Sequence, residues 1–126
     1  MAIAAGFRVG TYEVTDALGA GGMGEVYRAR DTKLDRIVAI KFLSPTAADA
    51  SGRRRFQREA QLASSLNHPH ILTVYDAGEI DDRQYLVTEY IDGGTLGDWS
   101  RGRTRSCQEI LELLIGVADG LAAAHA

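Results

Sequence analysis

The sequence predicts an α+β fold: a five-stranded antiparallel sheet with one helix between its third and fourth strands, then the first helices of a second region. Three observations predict it. Short strand-like runs bounded by turn residues recur through residues 12–43 and 71–91. A single stretch with helical spacing separates them at residues 51–66. After Asp92-Gly93-Gly94 the pattern turns helical.

Taken in order, Met1 to Thr11 reads as a short leader, and Tyr12 to Leu18 alternates as a strand that runs into glycines. Glu25 to Arg30 is a second strand, and Asp31-Thr32-Lys33-Leu34-Asp35 is a polar connection with turn character. Ile37 to Leu43 is mostly apolar, so this third strand is expected to be largely buried, with Pro45 ending it. Ser51 is expected to cap the helix that follows, on which Phe56, Ala60, Ala63 and Leu66 share one face. Asn67-His68-Pro69 breaks that helix. Ile71 to Ala77 and Gln84 to Ile91 are two further strands, joined by the polar segment Glu79 to Arg83. Thr95 to Trp99 predicts a short helix. Ser106 to Ala124 predicts a long one with a wide apolar face (Ile110, Leu111, Leu113, Leu114, Val117, Leu121), weakened at Gly116 and Gly120.

The totals narrow the function. At 126 residues the chain has room for one domain. A net charge of −3 argues against general nucleic-acid binding. No apolar run approaches the ~20 residues of a membrane span, and no signal-peptide pattern opens the chain. The single cysteine, Cys107, allows no internal disulfide, fits a cytoplasmic location and is expected to be at least half-buried. His68, His70 and His125 have no metal-ligand spacing with a cysteine pair and read as structural, so no metal site is expected within the chain. Arg53-Arg54-Arg55 falls in the first turn of a helix, where cations oppose the helix dipole, and reads as a solvated charge run.

Two motifs carry chemistry. Gly19-Ala20-Gly21-Gly22-Met23-Gly24-Glu25-Val26 is a G-x-G-x-x-G-x-V loop whose backbone N–H groups are free to cradle phosphates. A dinucleotide fingerprint would need a helix straight after the glycines; here a strand follows, so the loop is the tip of a hairpin. Seventeen residues beyond Gly24, Val38-Ala39-Ile40-Lys41 places an ammonium on an apolar strand, where it needs anionic partners. Only two of the fourteen cations are lysines, which singles out Lys41 further. Glu59 is the candidate carboxylate partner, three residues after Phe56 on the helix face expected to pack on the sheet; a surface pair with Arg55 is the alternative.

On these motifs the chain resembles the N-terminal lobe of eukaryotic-type protein kinases, most closely their bacterial Ser/Thr branch, over residues 12–126. The resemblance implies a kinase N-lobe over 12–91, with 92–126 as the hinge exit and the start of a C-lobe. It implies ATP as the bound cofactor: Gly19, Gly21 and Gly24 over the phosphates, Val26 and Ala39 on the adenine, and Lys41 on the α and β phosphates and paired with Glu59. Leu86-Val87-Thr88-Glu89-Tyr90-Ile91 resembles the hinge, with Thr88 as gatekeeper and the Glu89 carbonyl and Ile91 N–H on the adenine edge. The family's H-R-D loop and D-F-G, which supply the catalytic aspartate and the Mg²⁺ ligands, have no counterpart in these 126 residues. The expectation is therefore the ATP-binding portion of a Ser/Thr protein kinase, inactive alone, whose partners are a protein substrate and a second kinase or a regulator. A naturally short, non-catalytic module that binds and regulates a kinase or other partner is the alternative.

Overall fold

Among residues 3–21, 24–43 and 50–126, which the computed structural model describes, six strands rather than five form one antiparallel sheet. They are β1 (Arg8–Val9), β2 (Tyr12–Gly21), β3 (Gly24–Asp31), β4 (Arg36–Leu43), β5 (Val74–Ile80) and β6 (Arg83–Glu89), in the spatial order β1-β2-β3-β4-β6-β5. The added strand lies in the leader, where Arg8 pairs with Glu13 and Val9 with Tyr12. Two residues are too few to show a period, but Val9 is buried in the core.

The core sits on one face of this sheet. Along β4, Val38, Ile40 and Phe42 are buried, whereas Ile37 is 45% exposed and Ala39 and Lys41 are half-buried. The strand is apolar on both faces, but apart from Leu43 at its end it is buried on one, because only that face meets Val9, Val14, Tyr27, Ala29 and Val87. Full burial of each large aliphatic or aromatic side chain contributes about 1.5–3 kcal/mol. Tyr12 reaches across to donate to the Asp76 carboxylate at 3.2 Å. Burial, and then that carboxylate, push its phenol up to about 12.

Turn chemistry sets the strand ends. Ile80 pairs with Arg83, so Asp81 and Asp82 alone make the β5–β6 turn, both with positive φ (50° and 62°). Primed two-residue turns match the twist of the flanking strands, so the polar connection expected over Glu79 to Arg83 shrinks to two residues. At the β3–β4 turn, Asp31 is 3% exposed and accepts from the Lys33 and Leu34 N–H groups at 3.0 and 3.2 Å. Its second oxygen lies 3.6 Å from the Arg36 guanidinium. Asp31→Ala would orphan these donors, at a cost of about 1–3 kcal/mol. A urea midpoint within error of the parent's would show the turn needs no carboxylate.

Helix α1 (Ala50–Ser64) packs over β5 and β6, with Ala60 buried. Ser51 lies one residue inside it and is not its cap; Pro45 lies outside the described residues. The helix stops before Leu66, where the Ser64 and Ser65 hydroxyls donate back to the Gln61 and Leu62 carbonyls at 2.9 and 2.7 Å.

The chain divides into two units, Met1–Ser65 with Thr73–Tyr90, and Leu66–Leu72 with Ile91–Ala126. In the second, α2 (Leu96–Gly102) and α3 (Cys107–Ala124) each open on a full capping box, Thr95 with Asp98 and Ser106 with Glu109. The Ser106 N–H and then Arg103 hold the Glu109 carboxyl below the ordinary value of 4.5. Gly120 has a packing reason: a Cβ there would meet the His70 carbonyl oxygen at 3.1 Å. Ile110, Leu111, Leu114, Ile115, Val117 and Leu121 of α3 are exposed, and so is Cys107, against the expectation of burial.

Candidate nucleotide site

Strand register assembles the predicted residues. Gly19 pairs with Val26, Val26 with Lys41 and Lys41 with Leu86, a row across β2, β3, β4 and β6. Two residues along β4, Arg28, Ala39 and Thr88 form a second row. Side chains alternate along a strand, so Val26, Ala39, Lys41 and Thr88 share the sheet face opposite Val38, Ile40 and Phe42. Lys41 is half-buried there, and Thr88 is 7% exposed.

The glycine loop closes the β2–β3 hairpin. The ladder runs to the pair Gly21–Gly24, and Gly24 has φ +142°, a backbone conformation that a side chain would strain. Gly22 and Met23 of the motif lie outside the described residues. A Cβ added at Gly19 would meet no atom within 4 Å, so its backbone stands open to an approaching group. Strand β3 starts directly at Gly24, which rules out the dinucleotide arrangement with its helix after the glycines.

Beyond Thr88 the strand is pinned to the start of β5. The Glu89 N–H donates to the Thr73 carbonyl, and the Thr73 N–H donates to the Glu89 carboxylate, both at 2.9 Å. The Thr88 hydroxyl donates to the Glu89 carbonyl at 3.1 Å. Ile91 is exposed and begins the second unit. Beside the site face, Arg28 pairs with Asp16 at 2.7 Å and stands 5.9 Å from the Tyr90 ring centroid.

Glu59 departs from the expected packing face. Its side chain is 62% exposed and its carboxylate accepts from Arg55 at 3.1 Å, one turn earlier, rather than meeting Lys41. Phe56, Ala60 and Ala63 take the inward stripe, and Glu59 lies at its margin, free to turn outward. Arg53, in the charge run, donates to the Asp82 carbonyl at 2.9 Å and pairs with Glu79 at 3.5 Å, so it ties α1 to the β5–β6 hairpin.

The residues present fit a nucleoside triphosphate: an open glycine backbone, one half-buried ammonium in the same row and an apolar face formed by Val26 and Ala39. Sequence reasoning passed over Glu25, Tyr27 and Arg83, which brace the loop's exit. The signal that bears on Tyr27 is alternation along β3, which fits its place on the buried face and says nothing of its hydroxyl.

Residues 12–126 match the protein kinase domain family. A probable serine/threonine-protein kinase of Streptomyces coelicolor is 48% identical over 122 residues, 92% of this chain and 18% of that protein. Serine/threonine-protein kinase PrkC of Bacillus subtilis is 44% identical over 118 residues, again 92% of this chain and 18% of that protein. The crystal structure of the Mycobacterium tuberculosis PknI kinase domain matches with a TM-score of 0.87 at 38% identity, covering 98% of this chain and 51% of that one. The chain thus spans under a fifth of these curated relatives' length and about half of the solved kinase domain. No helix among the described residues is long and apolar enough to cross a membrane. With its α+β sheet-and-helix unit and this match, the chain belongs to the protein kinase family and corresponds to the N-terminal region of the kinase domain in bacterial Ser/Thr kinases.

Proposed function

We propose that this chain is the ATP-binding portion of a Ser/Thr protein kinase. The observation that carries this reading is the row Gly19–Val26–Lys41, which puts an open glycine backbone and one ammonium on the same sheet face. In it, Gly19, Gly21 and Gly24 bear on the phosphates, Lys41 holds the α and β phosphates, and Val26 and Ala39 pack on the adenine from one side. Thr88 limits the depth of the adenine pocket, and the Glu89 carbonyl and Ile91 N–H bind the adenine edge. Bound Mg-ATP supplies the γ-phosphoryl group that a Ser or Thr hydroxyl of a protein substrate accepts. Pairing of Glu59 with Lys41 belongs to a rearranged state in which the Arg55 bridge has opened. The base and the Mg²⁺ ligands belong to motifs outside these 126 residues, so positioning is all that this stretch contributes.

The polypeptide of this sequence is expected to bind Mg-ATP saturably but weakly, at or above roughly 1 mM, the upper end of ordinary substrate constants. It should transfer no phosphate to a Ser/Thr protein. Calorimetric titration and a radiolabel transfer assay check the two halves. Absence of saturable binding overturns the nucleotide reading, and transfer by the isolated polypeptide overturns its inactivity.

A further inference from the structure

The leader is bound to the glycine loop by a short polar chain. The Ile3 N–H donates to the Tyr27 hydroxyl at 3.0 Å, and that hydroxyl donates to a Glu25 carboxylate oxygen at 2.5 Å. Glu25 follows the last loop glycine directly. Its carboxylate also lies 3.9 Å from the Arg83 guanidinium, which donates to the Leu43 carbonyl at 3.3 Å and lies over the Phe42 ring. Tyr27 is 3% exposed, and burial followed by the Glu25 bond raises its phenol above the ordinary value. The other end of the leader is sewn to β2: the Gly6 N–H donates to the Val14 carbonyl at 2.7 Å, and the Val14 N–H to the Phe7 carbonyl at 2.9 Å. Between these two anchorages the leader does not seal against the sheet. A cleft of about 300 Å³ stays open among Ile3, Ala4, Phe7, Phe42, Ile80 and Arg83. Among the described residues, one hydrogen bond to Tyr27 and the packing of Ile3 at the edge of the core hold the segment's tip, so it is releasable without dismantling the sheet.

We propose that the leader Ile3–Phe7 is a strap whose docking positions the exit of the glycine-rich loop, with Tyr27 and Glu25 as its positioning residues, so that releasing the strap loosens the grip on nucleotide phosphates. The proposal rests on the nucleotide reading above. Tyr27 alternates onto the core face while its hydroxyl reaches past the core to the leader. Through the Glu25 carboxylate it fixes the first residue of β3 after the glycines, the point about which the loop must swing. The strap acts on nucleotide hold without touching the nucleotide.

Tyr27→Phe keeps the ring and its edge contact with Phe42 but cuts both hydroxyl bonds; Ile3→Pro cuts the same tie from the other end by removing the donor. Hydrogen exchange of the 126-residue chain should speed up at both Ala4–Phe7 and Gly24–Val26 in each variant. Mg-ATP affinity should fall about three- to tenfold, the size of one lost hydrogen bond, with the melting midpoint within a few degrees of the parent's. The double variant should lose little more than either single one, because both cut one tie. Additive losses, or unchanged exchange at Gly24–Val26, would overturn the strap. If the parent binds Mg-ATP and Tyr27→Phe binds it equally well, this proposal falls alone; if the parent binds none, the nucleotide reading falls and takes this proposal with it.

Discussion

Phe42→Ala should be the most damaging single substitution in the sheet unit, with a loss of about 3–5 kcal/mol. The side chain is 1% exposed. Its ring meets Tyr27 edge-on at 5.8 Å and Tyr85 at a tilt at 6.0 Å, and the Arg83 guanidinium lies 5.2 Å from its centroid. Truncation removes all three contacts and opens a cavity that β4, hydrogen-bonded on both sides, has little freedom to collapse. Small domains have only about 5–15 kcal/mol in total, so the variant should be largely unfolded under mild heating. Ile37→Ala on the same strand provides the control. That side chain is 45% exposed on the opposite face, and its loss should cost under about 1 kcal/mol. Chemical denaturation of both variants checks the pair; equal midpoints would mean that the core does not lie on the Phe42 face.

Lys41→Met should have the largest effect on ligand binding. The substitution keeps most of the length and the apolar stem of a half-buried side chain and removes its ammonium group. A hydrogen bond to a charged group contributes roughly 1.5–3 kcal/mol, so Mg-ATP affinity should fall by about ten- to more than a hundredfold. Lys41→Arg should restore only part of the affinity, because a planar fork replaces a compact point charge. The fold should be indifferent, since the flanking Ile40 and Phe42 point to the other face. Calorimetry beside circular dichroism separates the two readouts, and Lys41→Met with unchanged affinity would remove Lys41 from the site.

How much of this was legible depended on how local the cause was. The course of the third predicted strand, the position of the last helix and the hairpin identity of the glycine loop rest on neighbouring residues, and they stand as read, although that strand is less buried than its composition suggests. The leader strand did not show, because two residues carry no period and β1 exists only by pairing with β2. Ile71 and Leu72 looked like the start of a strand. They go instead with the segment containing His70, whose backbone lies against Gly120, a contact that sequence spacing cannot foresee. In the site, the row Gly19–Val26–Lys41 follows from alternation once register is known, and register comes from pairing. Glu59 was the least legible residue. It falls at the margin of the helix stripe, where rotation of one side chain decides between solvent and sheet, and Arg55 one turn away takes it.

Strand β1 also bears on how much of the sheet's rim stays open. A ten-residue β2 at the rim of a sheet would offer neighbouring molecules a row of open N–H and C=O groups. The leader occupies that rim over Tyr12–Val14, and the two irregularities between Val14 and Asp16 and between Ala17 and Gly19 break the straightness of the remainder. The leader thus leaves less of that rim open to edge-to-edge pairing.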